Sequence, residues 1–137
     1  MKLKTLAAVP VAVAGLTVIL GGCAWTGGSY AALDRDRQPS DELPDVVEEA
    51  GSDMDADSAR YVGEHDGVEF WLARTDEPES VCLVVYPNDT DWVTGCGGYG
   101  SRLGVGGPSG DYVLLPDGLP APDDTTKLID NVYLVGD

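Results

Sequence analysis

His65 is the only histidine in the 137-residue chain, so a hydrolytic triad has to be built around it, with Ser101 or Ser109 as nucleophile and one of many aspartates as the orienting acid. Neither serine stands in a Gly-x-Ser-x-Gly turn, the sharp corner that exposes a nucleophilic hydroxyl. His65 itself opens His65-Asp66-Gly67, the composition of a solvated turn. No residue is therefore assigned a catalytic role, and the chain reads as a non-enzymatic protein.

The acids offer a second chemistry. Asp53, Asp55, Asp57 and Glu64 occupy relative positions 1, 3, 5 and 12 of a window that resembles a calcium loop of the EF-hand type. The window has Ser58 where that loop needs glycine for its sharp turn, and a hairpin rather than a helix follows Glu64. These four are weak metal candidates, and an acidic segment running into a strand explains the same residues. Gly98-Tyr99-Gly100 and Gly104-Val105-Gly106-Gly107 lack dinucleotide spacing, a following lysine-serine pair and a following helix, and read as glycine-rich connections. No cofactor is implied. Trp71, Tyr86, Trp92, Tyr99, Tyr112 and Tyr133 can line a ligand groove, but with only one phenylalanine in the chain they are more simply its core.

The most explicit chemistry lies near the start. Lys2 and Lys4 precede an apolar run from Leu6 to Leu20 without a single acid, the pattern of a basic n-region and an apolar h-region. Pro10 and the small-residue exit favour cleavage over a permanent span, which needs about 20 apolar residues. Leu20-Gly21-Gly22-Cys23 resembles a bacterial lipobox: an aliphatic residue, two small residues, then the obligatory cysteine. The resemblance implies a signal peptide over 1–22, cleavage before Cys23, and a diacylglyceryl group on its sulfur. Two acyl chains, at roughly 0.8 kcal/mol per buried methylene, hold a protein on a bilayer where one gives only marginal binding. An ordinary secretory signal is the main alternative, an uncleaved helix the next.

Loss of Lys2 and Lys4 with the leader takes the formal charge from −16 to −18. Such a body repels nucleic acid and anionic headgroups alike, so nucleic acid is excluded as a partner and a covalent anchor suits the membrane better than a surface patch. With Cys23 given to lipid, Cys82 and Cys96 remain as an even pair for an oxidising compartment. Their disulfide would close a loop worth about 3 kcal/mol. One histidine and two committed cysteines leave little for zinc.

The elements that must position these residues follow from local pattern. Residues 23–58, beginning with the lipidated cysteine, are rich in acid and poor in apolar side chains, and are expected to form a disordered linker with a short helix over 44–50 between Pro44 and Gly51. A stalk of that length spans roughly 33 Å and would lift the domain into the wall layer. Residues 59–137 read as an antiparallel β domain. Residues 60–64 and 68–74 flank a three-residue loop, 65–67, as a first hairpin. Residues 81–86, apolar at nearly every position, form a central strand buried on both faces. A five-residue loop, 87–91, sets Tyr86 opposite Trp92 and hence Cys82 opposite Cys96. Residues 97–107 hold loop and one weak or edge strand, 111–115 a strand, and 128–135 a last strand with a bulge or turn at Asp130-Asn131. The fold class is all-β: a small antiparallel sandwich or partly closed barrel of six or seven short strands.

Arg60-Tyr61-Val62-Gly63-Glu64-His65-Asp66-Gly67, Cys82-Leu83-Val84-Val85, Leu115-Pro116-Asp117-Gly118 and Asp130-Asn131-Val132 resemble the globular part of small actinobacterial envelope lipoproteins, which has no assigned activity. The resemblance spans most of 59–137 and implies no functional residues. The resulting expectation is a lipoprotein on the extracytoplasmic face of the cell membrane, displaying a binding module for an envelope protein or glycan. An extracytoplasmic hydrolase or a divalent-cation-binding protein is the alternative.

Overall fold

From Met54 onward the chain forms eight strands: β1 (Met54–His65), β2 (Val68–Thr75), β3 (Ser80–Tyr86), β4 (Val93–Gly98), β5 (Leu103–Gly107), β6 (Gly110–Leu114), β7 (Thr125–Ile129) and β8 (Val132–Val135). They are seen in a computed structural model that describes Gly15 and residues 28–136; the leader reading and the lipidation of Cys23 lie outside the described residues. β1 to β4 form one antiparallel sheet in sequence order, and the second runs β5-β6-β8-β7, with no closed barrel. Eight strands form rather than six or seven. The last apolar run breaks at Asp130-Asn131, where Asn131 takes φ of +70°, and becomes a hairpin of its own, joining Thr125–Ile129 to β8.

The first hairpin corrects its expected loop. His65 pairs with Val68, so only Asp66 and Gly67 turn the chain, with φ of 49° and 79°. A two-residue turn with both φ positive has the twist that antiparallel strands require. The second hairpin has the register read from the sequence: Cys82 opposes Cys96, and Leu83, Val84 and Val85 oppose Gly95, Thr94 and Val93. The cysteines are bridged, with Cα atoms 4.0 Å apart. β3 is central and buried from Val81 to Val85. Val81, Leu83 and Val85 face a core shared by the two sheets, while Val84 faces a second core on the outer side of β1–β4.

In the shared core Phe70, Leu72 and Leu83 of the first sheet meet Val105, Tyr112, Leu114 and Val132 of the second. Phe70 and Tyr112 pack edge to face at 5.3 Å. Two glycines let the sheets approach at their sides. A Cβ on Gly95 would lie 2.7 Å from Cγ2 of Val105, and one on Gly63, whose φ is +142°, 2.9 Å from Cγ2 of Ile129. Val105 is a stiff, buried side chain, so Gly95→Ala is expected to cost about 1–3 kcal/mol through overpacking. Urea denaturation measures this, and an unchanged midpoint would show that the β4–β5 contact is loose.

Residues 28–58 depart most from expectation. They are not a disordered linker, and the packed body does not begin at residue 59. Short helices α1 (Ala31–Asp34) and α2 (Asp45–Glu49) flank a 3-10 turn at Pro39–Asp41. The second helix falls inside the expected 44–50, with Pro44 at its start and Gly51 at φ of +66° beyond its end. Tyr30 and Leu33 enter the shared core, and Leu43 and Val47 cover the outer core; none is more than 3% exposed. The segment is thus a strap wound around the β1 edge from one core to the other. Its apolar residues are few, but each fully buried one contributes about 1.5–3 kcal/mol relative to exposure.

Hydrogen bonds fix the strap to that edge. Asp41 is fully buried and accepts from both terminal guanidinium nitrogens of Arg35, Nη1 and Nη2, from Gln38 N at 2.7 Å, and from Tyr61 N at 2.8 Å. Arg35 also donates to the carbonyl of Tyr61 at 3.1 Å. These two side chains satisfy an edge N–H and C=O at a β1 irregularity, where an unpaired strand is otherwise a template for association. The Arg35 hydrogen bonds hold the Asp41 carboxyl well below the ordinary carboxylate range, against its burial and with help from the two backbone donors.

Candidate functional site

A groove of about 730 Å³ lies at one end of the first sheet. The β2–β3 loop supplies Asp76, Glu77 and Glu79, the chain after α2 supplies Ser52 and Asp53, and β4 supplies Cys96, Gly97 and Gly98. The loop holds its shape by short-range hydrogen bonds. Glu77 N donates to Oγ1 of Thr75 at 3.1 Å, the Thr75 and Ser80 hydroxyls pair, and Ser80 donates to the carbonyl of Glu77 at 3.2 Å. Tyr99 N donates to the carbonyl of Glu79 at 2.8 Å and ties the loop to the end of β4. Glu79 sits at φ of +58°, a conformation that its neighbours must hold in place.

Four carboxylate residues thus line a depression that Ser52, Thr75, Ser80 and Thr94 also border. Thr94 Oγ1 is buried and has no hydrogen-bond partner. Carboxylates around an open groove suit an ammonium or guanidinium group, which donates charge-assisted hydrogen bonds to them. The groove holds no histidine, and its cysteine is locked in the disulfide. A nucleophile with an adjacent base is therefore not assembled there.

No protein-family model, no curated protein and no solved structure matches the chain.

The candidates singled out by sequence are scattered. Of the metal candidates, Asp53 alone borders the groove. Asp55 and Asp57 lie along β1, where Asp55 Oδ1 accepts from Asp57 N at 3.0 Å and Asp57 meets Arg37 at 3.1 Å. Glu64 lies near the other end of that strand, opposite Glu69. An extended strand separates what a calcium loop would fold together, so the EF-hand reading of 53–64 is corrected. Among the described residues no group of three or more His, Cys, Asp or Glu is placed to hold a metal ion. His65 closes β1 at the end of the sheet away from the groove, with Nε2 3.1 Å from Asp66 Oδ2. Tyr112 donates its hydroxyl to Oγ of Ser109 at 3.2 Å, and Ser101 is exposed in the β4–β5 turn. No triad forms from these three.

Of the aromatics, Trp71 and Tyr112 are buried, and Tyr86, Trp92, Tyr99 and Tyr133 are half-buried. Tyr61, Trp71 and Tyr86 stack edge to face across β1, β2 and β3 at 5.1 and 6.0 Å, on the outer face that α2 partly covers. They serve mainly as core. The only large apolar side chains exposed among the described residues are Leu119 and Val135. No described helix is long and apolar enough to cross a membrane.

Sequence reasoning missed Asp76, Glu77 and Glu79. Thr75-Asp76-Glu77-Pro78-Glu79-Ser80 carries the signal of an acidic turn, but its concavity depends on residues 52–53 and 94–98, brought alongside only by the sheet.

Proposed function

We propose that this chain is the precursor of a lipid-anchored envelope protein, held through Cys23 on the extracytoplasmic face of the cell membrane. Its body, a small antiparallel sandwich, is a non-enzymatic binding module, and the groove beside the β2–β3 loop is its binding surface. The observation that carries this reading is the Cys82–Cys96 bridge. Two of the three cysteines are committed to a bond that belongs to oxidising compartments, which leaves Cys23, at the end of Leu20-Gly21-Gly22, without a cysteine partner in the chain. A Cys23→Ala variant is expected to leave the membrane fraction of expressing cells, and unchanged retention would sink the anchor.

For the groove, the supporting chemistry is charge. Asp53, Asp76, Glu77 and Glu79 lie on a chain with 24 acidic and 8 basic residues, so the ligand class is cationic, presented by an envelope protein or an amino-bearing glycan. A hexalysine peptide is the probe. Replacing Glu77 and Glu79 together by glutamine is expected to weaken its binding roughly fivefold to thirtyfold at low salt, at about 0.5–1 kcal/mol per exposed carboxylate. Added salt should weaken binding to the native groove. Equal affinity of native and variant proteins would place the binding elsewhere.

A further inference from the structure

The strap changes where the body can sit. A stalk running to residue 58 would span roughly 33 Å, yet the chain is already fixed at its first described residues. Gly28 lies so close to Pro116 that an added Cβ would stand 2.1 Å from Pro116 Cβ, and 3.1 Å from the carbonyl oxygen of Tyr99. Ser29 accepts from Asp117 N, and Ala31 N donates to Asp117 Oδ2, each at 2.8 Å. Tyr30 is 1% exposed and packs edge to face on Tyr99 at 5.5 Å. From Gly28 onward the chain is therefore fixed at a defined point, between the ends of β4 and β6.

Strand directions define what surrounds that point. β2 ends, β3 begins, β4 ends and β6 ends on the same side, which carries the loops 76–79, 99–102 and 115–119. The turns at 66–67, 87–92 and 108–109 lie at the opposite end. β3, at seven residues, separates the two ends by about 20 Å.

Resting on the lipid-anchor reading, we propose that the strap turns the anchor into a short leash that orients the body, with the loop end around Tyr99, Pro116 and Glu79 facing the bilayer and the 66–67, 87–92 and 108–109 turns facing the wall. Only five residue steps join Cys23 to Gly28, a reach of at most about 18 Å. The acidic body is repelled by anionic headgroups, so it is held close without lying flat. The groove rim at Asp76–Glu79 then opens on the membrane side, so its ligand is met in the space between the body and the bilayer.

The experiment uses the full lipidated protein in vesicles of neutral lipid doped with nickel-chelating headgroups. A nitroxide is placed either at the leash end, on Ser101→Cys, or at the far end, on Thr90→Cys, both exposed positions. Paramagnetic relaxation by the headgroup nickel is expected to be several-fold stronger at 101 than at 90. Equal relaxation at the two sites, or stronger relaxation at 90, overturns the orientation. Inserting 20 Gly/Ser residues between 27 and 28 raises the maximum reach to about 90 Å, with a root-mean-square span of roughly 25–30 Å, and should erase most of the difference. A difference that survives insertion shows that surface contact, not the leash, sets the orientation. Failure of the protein to float with vesicles, or flotation unchanged in Cys23→Ala, strikes the anchor itself and is read separately from the spin-label comparison.

Discussion

Replacing Cys82 and Cys96 together by alanine is expected to lower the unfolding free energy by about 3 kcal/mol, the entropy that closing a loop of this length removes from the unfolded chain. The bridge joins central β3 to β4, an outer strand of its sheet, at directly opposed positions. β4 contains Gly95, Gly97 and Gly98, so few side chains of its own pack against β3, and the covalent link substitutes for them. Cys82 is fully buried, and its truncation to alanine adds a small cavity cost to the lost constraint. Thermal unfolding should fall by about 10 °C or more for a body of this size. The measurement is urea or thermal denaturation of the native and doubly substituted proteins under non-reducing conditions. A midpoint that does not move would mean that β3 and β4 are held by sheet pairing alone.

Asp41→Asn is expected to cost on the order of 3 kcal/mol, the low end for breaking a buried ion pair, because Arg35 keeps 35% of its side chain in water. Asparagine can still accept from one or two of the donors, but it cannot balance the guanidinium, and its amide nitrogen must face another donor. The change would loosen the strap where it seals the β1 edge, so limited proteolysis between residues 35 and 58 should accelerate while the hairpins persist. Acid titration gives an independent readout. Asp41 is ionised well below the usual carboxylate range in the folded chain, first through Arg35, so over acid pH the unfolded chain binds the proton that the folded one refuses. Stability from this carboxylate is whole above about pH 4 and is lost as pH falls toward the depressed folded value. The native protein should therefore lose stability through that acid window more steeply than Asp41→Asn. Parallel curves would show that Asp41 contributes no linkage.

The two substitutions probe different links between sequence and fold. The Cys82–Cys96 bond follows from a register already set by five loop residues and an alternating pattern, whereas the Asp41 site joins residues far apart in the chain. Asp41 meets Tyr61 across 20 positions, and Ala31 meets Asp117 across 86. No window of neighbouring residues contains such a partner. Asp34-Arg35-Asp36-Arg37 reads locally as solvated charge, yet Arg35 completes the Asp41 site and Arg37 meets Asp57.

By itself the sequence determined the β character of residues 60–135, the register of the central hairpin, the cysteine pairing and the short helix after Pro44. All of these depend on alternation, turn residues and counting within some fifteen positions, and such local signals survive without knowledge of the rest of the chain. Only the tertiary structure decided that eight strands divide into two sheets, that residues 28–58 are a strap rather than a stalk, and that Asp53 shares a groove with Asp76, Glu77 and Glu79. The physical reason is that a sparse apolar segment such as Tyr30, Leu33, Leu43 and Val47 has no surface of its own to bury against. Its order comes from the cores that the two sheets create, and those exist only once the distant strands have met.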